Sequence, residues 1–324
     1  MTNGESGGSN GSSSFILHPS SLVVIVGPTA VGKTEAAIQL AERVSGEIVS
    51  ADSRQVYRGM DIGTAKPSAE QRARVPHHLI DVVDPDETLS LAQYQAAALS
   101  AIDDIFRRGG QPLLVGGTGL YVKAVTEGLR IPAVPPHPDV RAELETRAAQ
   151  EGKLALYDEL RRVDPAAAAR IDPRNVRRTI RALEVYRLSG RRFSDLGTAR
   201  RPPYPIVAIG LTMPRPDLYR RIDARVDAMI AAGLIEETRQ LAQCYDWSLP
   251  AMSGLGYRHI GRFLRGECSR EEAIAAMKRD TRRFVRRQYN WFRLADARIR
   301  WLDATLEIDR DLLTIVQQER AAVE

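Results

Sequence analysis

One eight-residue stretch carries the most specific chemistry in this 324-residue chain. The G-x-x-x-x-G-K-[ST] pattern of a phosphate-binding loop (P-loop) is matched by Gly27-Pro28-Thr29-Ala30-Val31-Gly32-Lys33-Thr34. In such a loop, backbone N–H groups surround phosphate oxygens, and the dipole of the following helix favours negative charge. Lys33 can neutralise an outer phosphate, and the Thr34 hydroxyl can bind Mg²⁺. The pattern therefore predicts a site for a diphosphate or a longer polyphosphate.

Strands and helices on either side of the loop must hold it in place. The apolar run at 22–26 predicts a buried strand before the loop, and residues 35–41 predict the helix after it. Further strands are predicted at 47–51, 79–83, 112–115, 206–211 and 298–302. The second strand ends at Asp52, and the strand at 112–115 ends at a loop that contains Thr118. Parallel α/β sheets bind ligands at this end of their strands.

Composition divides the chain into a core and an insertion. Residues 131–138 include four prolines, which is typical of a linker, and the pattern from 139 to about 190 is helical throughout. We expect an α/β fold, with a P-loop NTPase-like core whose mostly parallel sheet is flanked by helices, plus a small all-helical insertion. The predicted divisions are a disordered tail at 1–14, a discontinuous core at 15–136 and 206–312, a helical insertion at 137–205 and a C-terminal tail at 313–324.

Basic residues are concentrated in two segments, although the net charge is only +5. Residues 137–202 contain fifteen Lys or Arg and ten Asp or Glu, and residues 278–300 contain nine and two. Arginine binds phosphates in a forked geometry and stacks on bases, and only five of the 46 basic residues are lysine. The two segments beside a phosphate site favour a nucleic acid as partner. Solvated helix faces in an arginine-rich protein are the alternative.

The second basic segment belongs to a long helix predicted at 270–294. Helical spacing predicts a core-facing side, made of Ile274, Met277, Phe284, Trp291 and Phe292. The arginines on or beside the opposite face are Arg279, Arg282, Arg283, Arg286, Arg287 and Arg293. Few carboxylates share this stretch, so we expect phosphate contact rather than a solvated face. Residues 253–258, before this helix, are predicted to form a flexible loop.

Several classes of protein are disfavoured. No apolar run approaches the ~20 residues that a membrane span needs, and residues 1–14 lack the basic and apolar regions of a signal peptide. Cys244 and Cys268 form no C-x-x-C pair, which predicts neither a zinc site nor a disulfide framework. We therefore expect a cytoplasmic protein without a membrane partner, and a monomer.

The residues alone leave the reaction open. A P-loop by itself suggests an enzyme that uses ATP, with a small-molecule kinase as the default. Asp52 could support a magnesium ion or act as a catalytic base, and the strand at 112–115 ends without a carboxylate. The P-loop donors contact two phosphate groups closely, so diphosphate and triphosphate are both compatible with it.

Five motifs together resemble the bacterial tRNA dimethylallyltransferase family, also called tRNA isopentenyltransferases. They occur in order between about 22 and 302. The longest of them, at 50–67, is long enough to be close to diagnostic. They are GPTAVGKT at 27–34, SADSRQVYRGMDIGTAKP at 50–67, GGTGLY at 116–121, RALEVY at 181–186 and RQYNWFR at 287–293.

The resemblance implies transfer of a dimethylallyl group from dimethylallyl diphosphate to N6 of the adenine at tRNA position 37, with release of diphosphate. The P-loop would hold the diphosphate, with Mg²⁺ as cofactor on Thr34. Asp52 matches the family's catalytic base, Thr118 the threonine beside the reacting centre, and Arg221 a basic residue that assists the diphosphate. The adenine must leave the anticodon stack to reach this site.

The resemblance also implies contacts with the anticodon stem-loop of tRNA, and the insertion would clamp that stem. The matching residues are Asp52, Ser53, Arg54, Gln55, Thr118, Arg141, Arg177, Arg178, Arg181, Gly256, Tyr257, Arg286, Arg287, Gln288, Trp291 and Arg293. Three alternatives remain open: an adenylate isopentenyltransferase that acts on free AMP or ATP, a P-loop small-molecule kinase, and a non-catalytic RNA-binding protein.

Overall fold

The structure is a computed structural model that describes residues 21–132, 134–196, 201–306 and 308–321. Its strands are β1 (Leu22–Val26), β2 (Gly46–Ser50), β3 (His77–His78), β4 (Gln111–Gly116), β5 (Ile206–Thr212) and β6 (Ile299–Asp303). They form one parallel sheet in the order β3-β2-β4-β1-β5-β6. All five residues of β1 are buried, as its apolar run predicts for a central strand.

The described part of the chain contains thirteen α-helices. They are α1 (Lys33–Val44), α2 (Ala69–Arg74), α3 (Leu91–Arg107), α4 (Gly119–Thr126), α5 (Pro138–Gln150), α6 (Lys153–Val163), α7 (Pro165–Ala168), α8 (Val176–Ser189), α9 (Arg215–Ala231), α10 (Leu234–Cys244), α11 (Leu255–Leu264), α12 (Arg270–Trp291) and α13 (Asp309–Ala321). Capping boxes fix the starts of α3 and α12, where Ser90 and Ser269 accept hydrogen bonds from the backbone N–H three residues later. None of these helices is long and apolar enough to cross a membrane.

Helices cover both faces of the sheet. Buried side chains of α1, α9, α12 and α13 pack on one face, and those of α3 and α4 pack on the other. A further apolar cluster joins α9, α10, α11 and α12 to the segment after β2. This cluster stands beyond the carboxyl ends of the strands, so ligand-sized space is left between it and the P-loop.

The insertion has its own small core. Helices α5, α6 and α8 bury leucines against one another and against alanines of α7, and this cluster is separate from the three clusters of the main body. The three main helices of the insertion lie between residues 138 and 189, which agrees with the helical pattern predicted from 139 to about 190. Apolar residues at helical spacing give α6 and α8 their buried faces, whereas α5 buries only Leu144.

Four expectations were wrong. Residues 79–83, predicted as a strand, form none, because Leu79 and Asp81 adopt left-handed backbone conformations; the two-residue β3 ends just before them, at His78. Residues 253–258, expected to be a flexible loop, contain the start of α11. The tail expected from 313 lies in α13, whose Leu312 and Val316 are buried against the main body. Trp291 was expected to face the core but is 47% exposed. The tail predicted at 1–14 lies outside the described residues.

Candidate active site

The phosphate-binding loop joins β1 to α1 and has a backbone that few residue types could adopt. Gly27 has a φ of 146°, and a Cβ there would lie 2.4 Å from the Leu211 carbonyl oxygen of β5, so only glycine fits. Ala30 is held at a left-handed φ of 69°, which costs an L-residue about 1–2 kcal/mol. The backbone N–H groups of Lys33 and Thr34 make no hydrogen bond with any described residue. They are therefore able to donate to an anion at the helix N-terminus.

Two cationic side chains approach this loop. Lys33 Nζ donates to the Pro28 carbonyl oxygen at 2.8 Å. Burial, and then the charge of Arg225, lower the pKa of Lys33 to about 8, while Asp52 acts in the opposite direction. Burial also lowers the pKa of Arg225, again opposed by Asp52. Because two partly buried cations lie close together, a bound anion stabilises both of them.

Asp52, the carboxylate expected to act as a base, follows β2 at the carboxyl ends of the strands. Its Oδ1 accepts the Arg54 backbone N–H at 2.8 Å, whereas its Oδ2 makes no hydrogen bond with the described residues. Ser53 donates its backbone N–H to Thr118 Oγ1 at 3.0 Å, and Thr118 donates its own to the Ala51 carbonyl oxygen at 3.1 Å. The loops after β2 and β4 are therefore joined directly, and Asp52 and Thr118 are brought together as expected.

Helix α12 contacts both the P-loop and the loop after β4 through Gln288, which is only 4% exposed. Gln288 Oε1 accepts the Thr29 N–H at 2.8 Å, and its Nε2 donates to the Gly117 carbonyl oxygen at 3.1 Å. One turn later, Trp291 packs so closely on Gly119 that a Cβ there would lie 2.3 Å from the indole. Gln288 was predicted to contact tRNA, but the structure buries it as a link between two loops. Its amide satisfies one backbone donor and one backbone acceptor, which explains this position.

Two cavities meet at these residues. The smaller has a volume of about 310 Å³ and is lined by Lys33 and Thr34 of the P-loop. The larger, of about 560 Å³, is lined by the loop after β4 and by apolar side chains of α9 and α12. Thr29, Asp52 and Arg225 line both. The arrangement can therefore hold a phosphate group on one side of Asp52 and an apolar or aromatic group on the other.

The smaller cavity also offers oxygen donors to a metal ion. The Thr34 hydroxyl and the Asp52 carboxylate both line it, and these are the hard oxygen ligands that Mg²⁺ takes. Magnesium usually keeps several waters and binds one or two protein groups together with substrate phosphates, so this small donor set fits it.

Two residues of the predicted adenine-reading segment are engaged inside the protein. The Arg54 guanidinium donates to the Pro250 carbonyl oxygen at 2.6 Å and to Ser253 Oγ at 3.1 Å. The Gln55 side chain donates to the Ala65 carbonyl oxygen at 3.2 Å. The Arg54 contacts fix a wall of the larger cavity, and the Gln55 contact fixes a wall of the smaller one.

Tyr257, another predicted tRNA contact, is fully buried. Its hydroxyl donates to Glu237 Oε1 at 2.7 Å, and burial, followed by the charge of Glu237, raises its pKa well above the usual value. The Glu237 carboxylate also accepts the backbone N–H groups of residues 61–63, which ties α10 and α11 to the segment after β2. Gly256 is buried beside it, close to Gly63. Both residues nevertheless line the larger cavity, so their contact with tRNA stays a prediction.

Arg141 and Arg181, also expected on tRNA, converge on Glu184, whose side chain is completely buried. Arg141 binds both carboxylate oxygens, at 2.8 and 3.0 Å, and Arg181 binds one at 2.6 Å. The His137 N–H donates to the same carboxylate at 2.7 Å, and Arg181 also donates to the Val134 carbonyl oxygen. These arginines therefore attach the insertion to its linker.

Five of the predicted tRNA contacts are exposed arginines. Arg177 and Arg178 of α8, and Arg286, Arg287 and Arg293 near the end of α12, form no ion pair with a described carboxylate. Their contact with tRNA stays a prediction.

Two other arginines of α12 are paired with carboxylates, although few carboxylates share this stretch of the sequence. Arg282 pairs with Asp223 of α9, and Arg283 pairs with Asp280 at 3.2 Å. The sequence pattern missed Asp223 because it is far away in the chain.

Comparison with known proteins decides the family. The family model described as "IPP transferase" matches residues 55–295, and one described as "Isopentenyl transferase" matches 20–80. The tRNA dimethylallyltransferase of Roseiflexus sp. strain RS-1 is 56% identical over 299 residues, which cover 92% of this chain and 98% of the relative. That of Thermomicrobium roseum is 54% identical over 285 residues, covering 88% and 86%. The chain belongs to the tRNA dimethylallyltransferase family.

Solved structures of tRNA dimethylallyltransferases share the fold. The crystal structure of the full-length tRNA isopentenylpyrophosphate transferase from Bacillus halodurans is 44% identical, with a TM-score of 0.69, covering 94% of this chain and 99% of that one. A eukaryotic dimethylallyltransferase acting on tRNA is 28% identical, with a TM-score of 0.75, covering 88% and 74%. The predicted fold class and family resemblance are confirmed.

One site residue was missed from the sequence. Arg225 lies one turn after Arg221 on α9, lines both cavities and makes no hydrogen bond or ion pair with a described residue. Arg221 Nη1 donates to the Val31 carbonyl oxygen at 3.3 Å, but Arg221 lines neither cavity, so its assistance to the diphosphate stays a prediction. The signal was present, because residues four apart on a helix share a face.

Proposed function

We propose that this protein transfers a dimethylallyl group from dimethylallyl diphosphate to N6 of adenosine 37 in tRNA, next to the anticodon, and releases diphosphate. Its family makes it a tRNA prenyltransferase; the donor, the acceptor position and the residue roles are what we add. The observation that carries the proposal is the meeting of a phosphate cavity and a larger cavity at Asp52.

The donor's diphosphate occupies the smaller cavity. The free N–H groups of Lys33 and Thr34 donate to it, and the Lys33 and Arg225 charges stabilise it. Arg221, on the outer side of the loop, adds to the positive field there. The dimethylallyl group then points past Asp52 into the larger cavity, against the apolar side chains of α9 and α12.

The adenine enters the larger cavity after leaving its stack. Its N6 forms a bond to the carbon of the dimethylallyl group that carries the diphosphate. The bond between that carbon and the diphosphate oxygen breaks at the same time. Asp52 Oδ2, which has no other hydrogen bond among the described residues, accepts the N6 proton, and Thr118 Oγ1 orients the amine. The bonding electrons leave with the diphosphate, and Lys33 and Arg225 stabilise its negative charge.

Mg²⁺ is the proposed cofactor, held by Thr34 with Asp52 nearby in the same cavity. When bound, it would neutralise part of the charge on the diphosphate.

A transfer assay tests the proposal. The protein is given radiolabelled dimethylallyl diphosphate with unmodified tRNA or with AMP, with and without Mg²⁺, and labelled nucleosides are identified after digestion. We expect label in tRNA alone, at the adenosine next to the anticodon. A Lys33→Ala variant serves as control and should lose transfer. Label in AMP would show that the protein is an adenylate prenyltransferase. No label in either acceptor would contradict the proposal and favour a P-loop enzyme that uses ATP.

A further inference from the structure

One carboxylate behind the larger cavity accepts four hydrogen bonds. Glu237 of α10 accepts the successive backbone N–H groups of residues 61–63, at 3.1, 2.8 and 3.0 Å. It also accepts the Tyr257 hydroxyl of α11 at 2.7 Å. Successive N–H groups that converge in this way form a nest for an anion, and here a side chain of the protein fills the nest. Both oxygens of Glu237 are therefore used inside the protein, and Glu237 itself lines neither cavity.

The two segments that meet at Glu237 are in close contact with each other. A Cβ on Gly63 would lie 2.4 Å from the Tyr257 ring, so the backbone of one segment packs directly on the side chain of the other. Gly63, Thr64, Gly256 and Tyr257 all line the larger cavity. Residues 61–64 and the first turn of α11 thus form one wall of this cavity, and Glu237 fixes the wall from behind.

The smaller cavity has a separate support. None of the four residues just named lines it, and the same segment reaches it only from residue 65 onward. There the Lys66 side chain, which is 2% exposed, donates to the Tyr57 carbonyl oxygen at 2.6 Å and to the carboxylates of Asp61 and Asp81 at 2.6 and 2.5 Å. A change at Glu237 should therefore alter the larger cavity and leave the phosphate side in place.

We propose that Glu237 is a positioning residue for the acceptor base. By holding residues 61–63 and Tyr257 in one geometry, it sets the shape of the cavity that receives the adenine, and so strengthens the binding of that base. This inference rests on the proposed function, because it takes the larger cavity to be the adenine site.

The test measures how much the adenine adds to RNA binding. Two anticodon stem-loop RNAs, one with adenosine at position 37 and one with an abasic site there, are titrated with the full chain and followed by fluorescence anisotropy. Binding of inorganic diphosphate is measured in parallel by isothermal titration calorimetry. A protein that is merely less stable loses affinity for both RNAs alike, so the ratio of the two affinities reports on the cavity alone.

Three variants are compared with the wild type. Glu237→Gln keeps the size of the side chain but replaces one acceptor oxygen with an amide donor, which then faces N–H or O–H donors. Tyr257→Phe removes only the bond from the hydroxyl. Glu236→Gln is the matched control, because it makes the same change one residue earlier on α10, where the carboxylate is exposed and pairs with Arg239. Thermal unfolding shows which variants are folded, and Tyr257→Phe decides the test if Glu237→Gln does not fold.

We expect the wild type to prefer the RNA with adenosine. This preference should fall roughly tenfold in Glu237→Gln and roughly threefold in Tyr257→Phe, the values of a charged and a more modest hydrogen bond. Diphosphate affinity should stay within about twofold in both, because the P-loop supplies the phosphate contacts. Glu236→Gln should match the wild type. An unchanged preference in the folded variants, or an equal loss of affinity for both RNAs, would overturn the inference.

The wild type separates this inference from the proposed function. If the wild type binds the two RNAs equally well, the adenine does not enter the larger cavity and the proposed function fails. If the wild type prefers adenosine and the variants at Glu237 and Tyr257 keep that preference, only the role of Glu237 is refuted.

Discussion

Asp52 stands at the boundary between two environments, with a phosphate cavity on one side and a largely apolar one on the other. One carboxylate oxygen is fixed by the Arg54 N–H, and the other has no hydrogen bond to a described residue. The first contact orients the group, and the second oxygen is open to a substrate proton. This division of work is what a general base requires.

Replacing Asp52 with asparagine tests this assignment. Asp52→Asn keeps the shape and the acceptor for the Arg54 N–H but cannot take a proton, so turnover with tRNA should fall by roughly 10²–10⁴. Donor affinity should stay within about twofold, because phosphate contacts come from the P-loop. Single-turnover transfer and donor titration measure the two quantities. Wild-type turnover in this variant would remove Asp52 as the base.

Arg225 should be as important to diphosphate as Lys33. Arg225→Met removes a partly buried cation with no ion-pair partner among the described residues, so the dissociation constant for inorganic diphosphate should rise roughly ten- to a hundredfold. Arg220→Met, on the exposed side of the same helix, is the control. Equal diphosphate affinity in the two variants would show that Arg225 does not touch the leaving group.

At the scale of elements, α12 combines two kinds of arginine. Arg282 and Arg283 are paired with carboxylates, whereas Arg286 and Arg287 are exposed without such partners in the described chain. Besides Arg279 nearer its middle, the helix therefore presents unpaired charge near its carboxyl end. This is the end beside Trp291 and the mouth of the larger cavity.

The salt dependence of tRNA binding distinguishes the two pairs of arginines. The double variant Arg286→Ala with Arg287→Ala should flatten the slope of log affinity against log salt by about 0.7–0.9 for each tRNA phosphate that the protein no longer neutralises. The double variant Arg282→Ala with Arg283→Ala should change the slope much less, since those charges are already neutralised. Filter binding at several salt concentrations gives both slopes. Equal slopes in all three proteins would mean that the end of α12 is a solvated face.

The same helix shows how far the sequence could predict the site. Local patterns located the P-loop, Asp52 and the loop with Thr118, because each directly follows a strand. The role of Gln288 could not be read this way, since its partner Thr29 is 259 residues away. Likewise, the glycines around 254–256 suggested a loop, but the burial of Tyr257 and its bond to Glu237 stabilise a helix there.

At the scale of the whole molecule, the insertion is attached through a buried carboxylate. Glu184 is bound by two arginines and by a backbone N–H next to the proline-rich linker. The prolines and the change in composition predict a boundary near residue 137. The ion pairs of Arg141 and Arg181 with Glu184 were not predictable, because in the sequence these arginines look like any other basic residues of a nucleic-acid-binding helix.

Neutralising this carboxylate should loosen the insertion. Glu184→Gln leaves two arginines without their counter-charge, which should cost about 3 kcal/mol in the free energy of unfolding. Glu143→Gln, which breaks a more exposed pair with Arg187 in the same insertion, should cost less than about 1 kcal/mol. Urea unfolding followed by circular dichroism compares the two. Equal costs would mean that Glu184 contributes no more than a surface charge.

The position of β1 between β4 and β5 also has a consequence for the order in which the molecule is completed during synthesis. β5 follows the insertion in the chain, so β1 keeps one unpaired edge while the insertion leaves the ribosome. The insertion has its own apolar core and can fold during that interval. Gly27 meets Leu211, and Thr29 meets Gln288, only after those later residues emerge. The phosphate-binding loop is thus among the first motifs to be synthesised and among the last to form all of its native contacts.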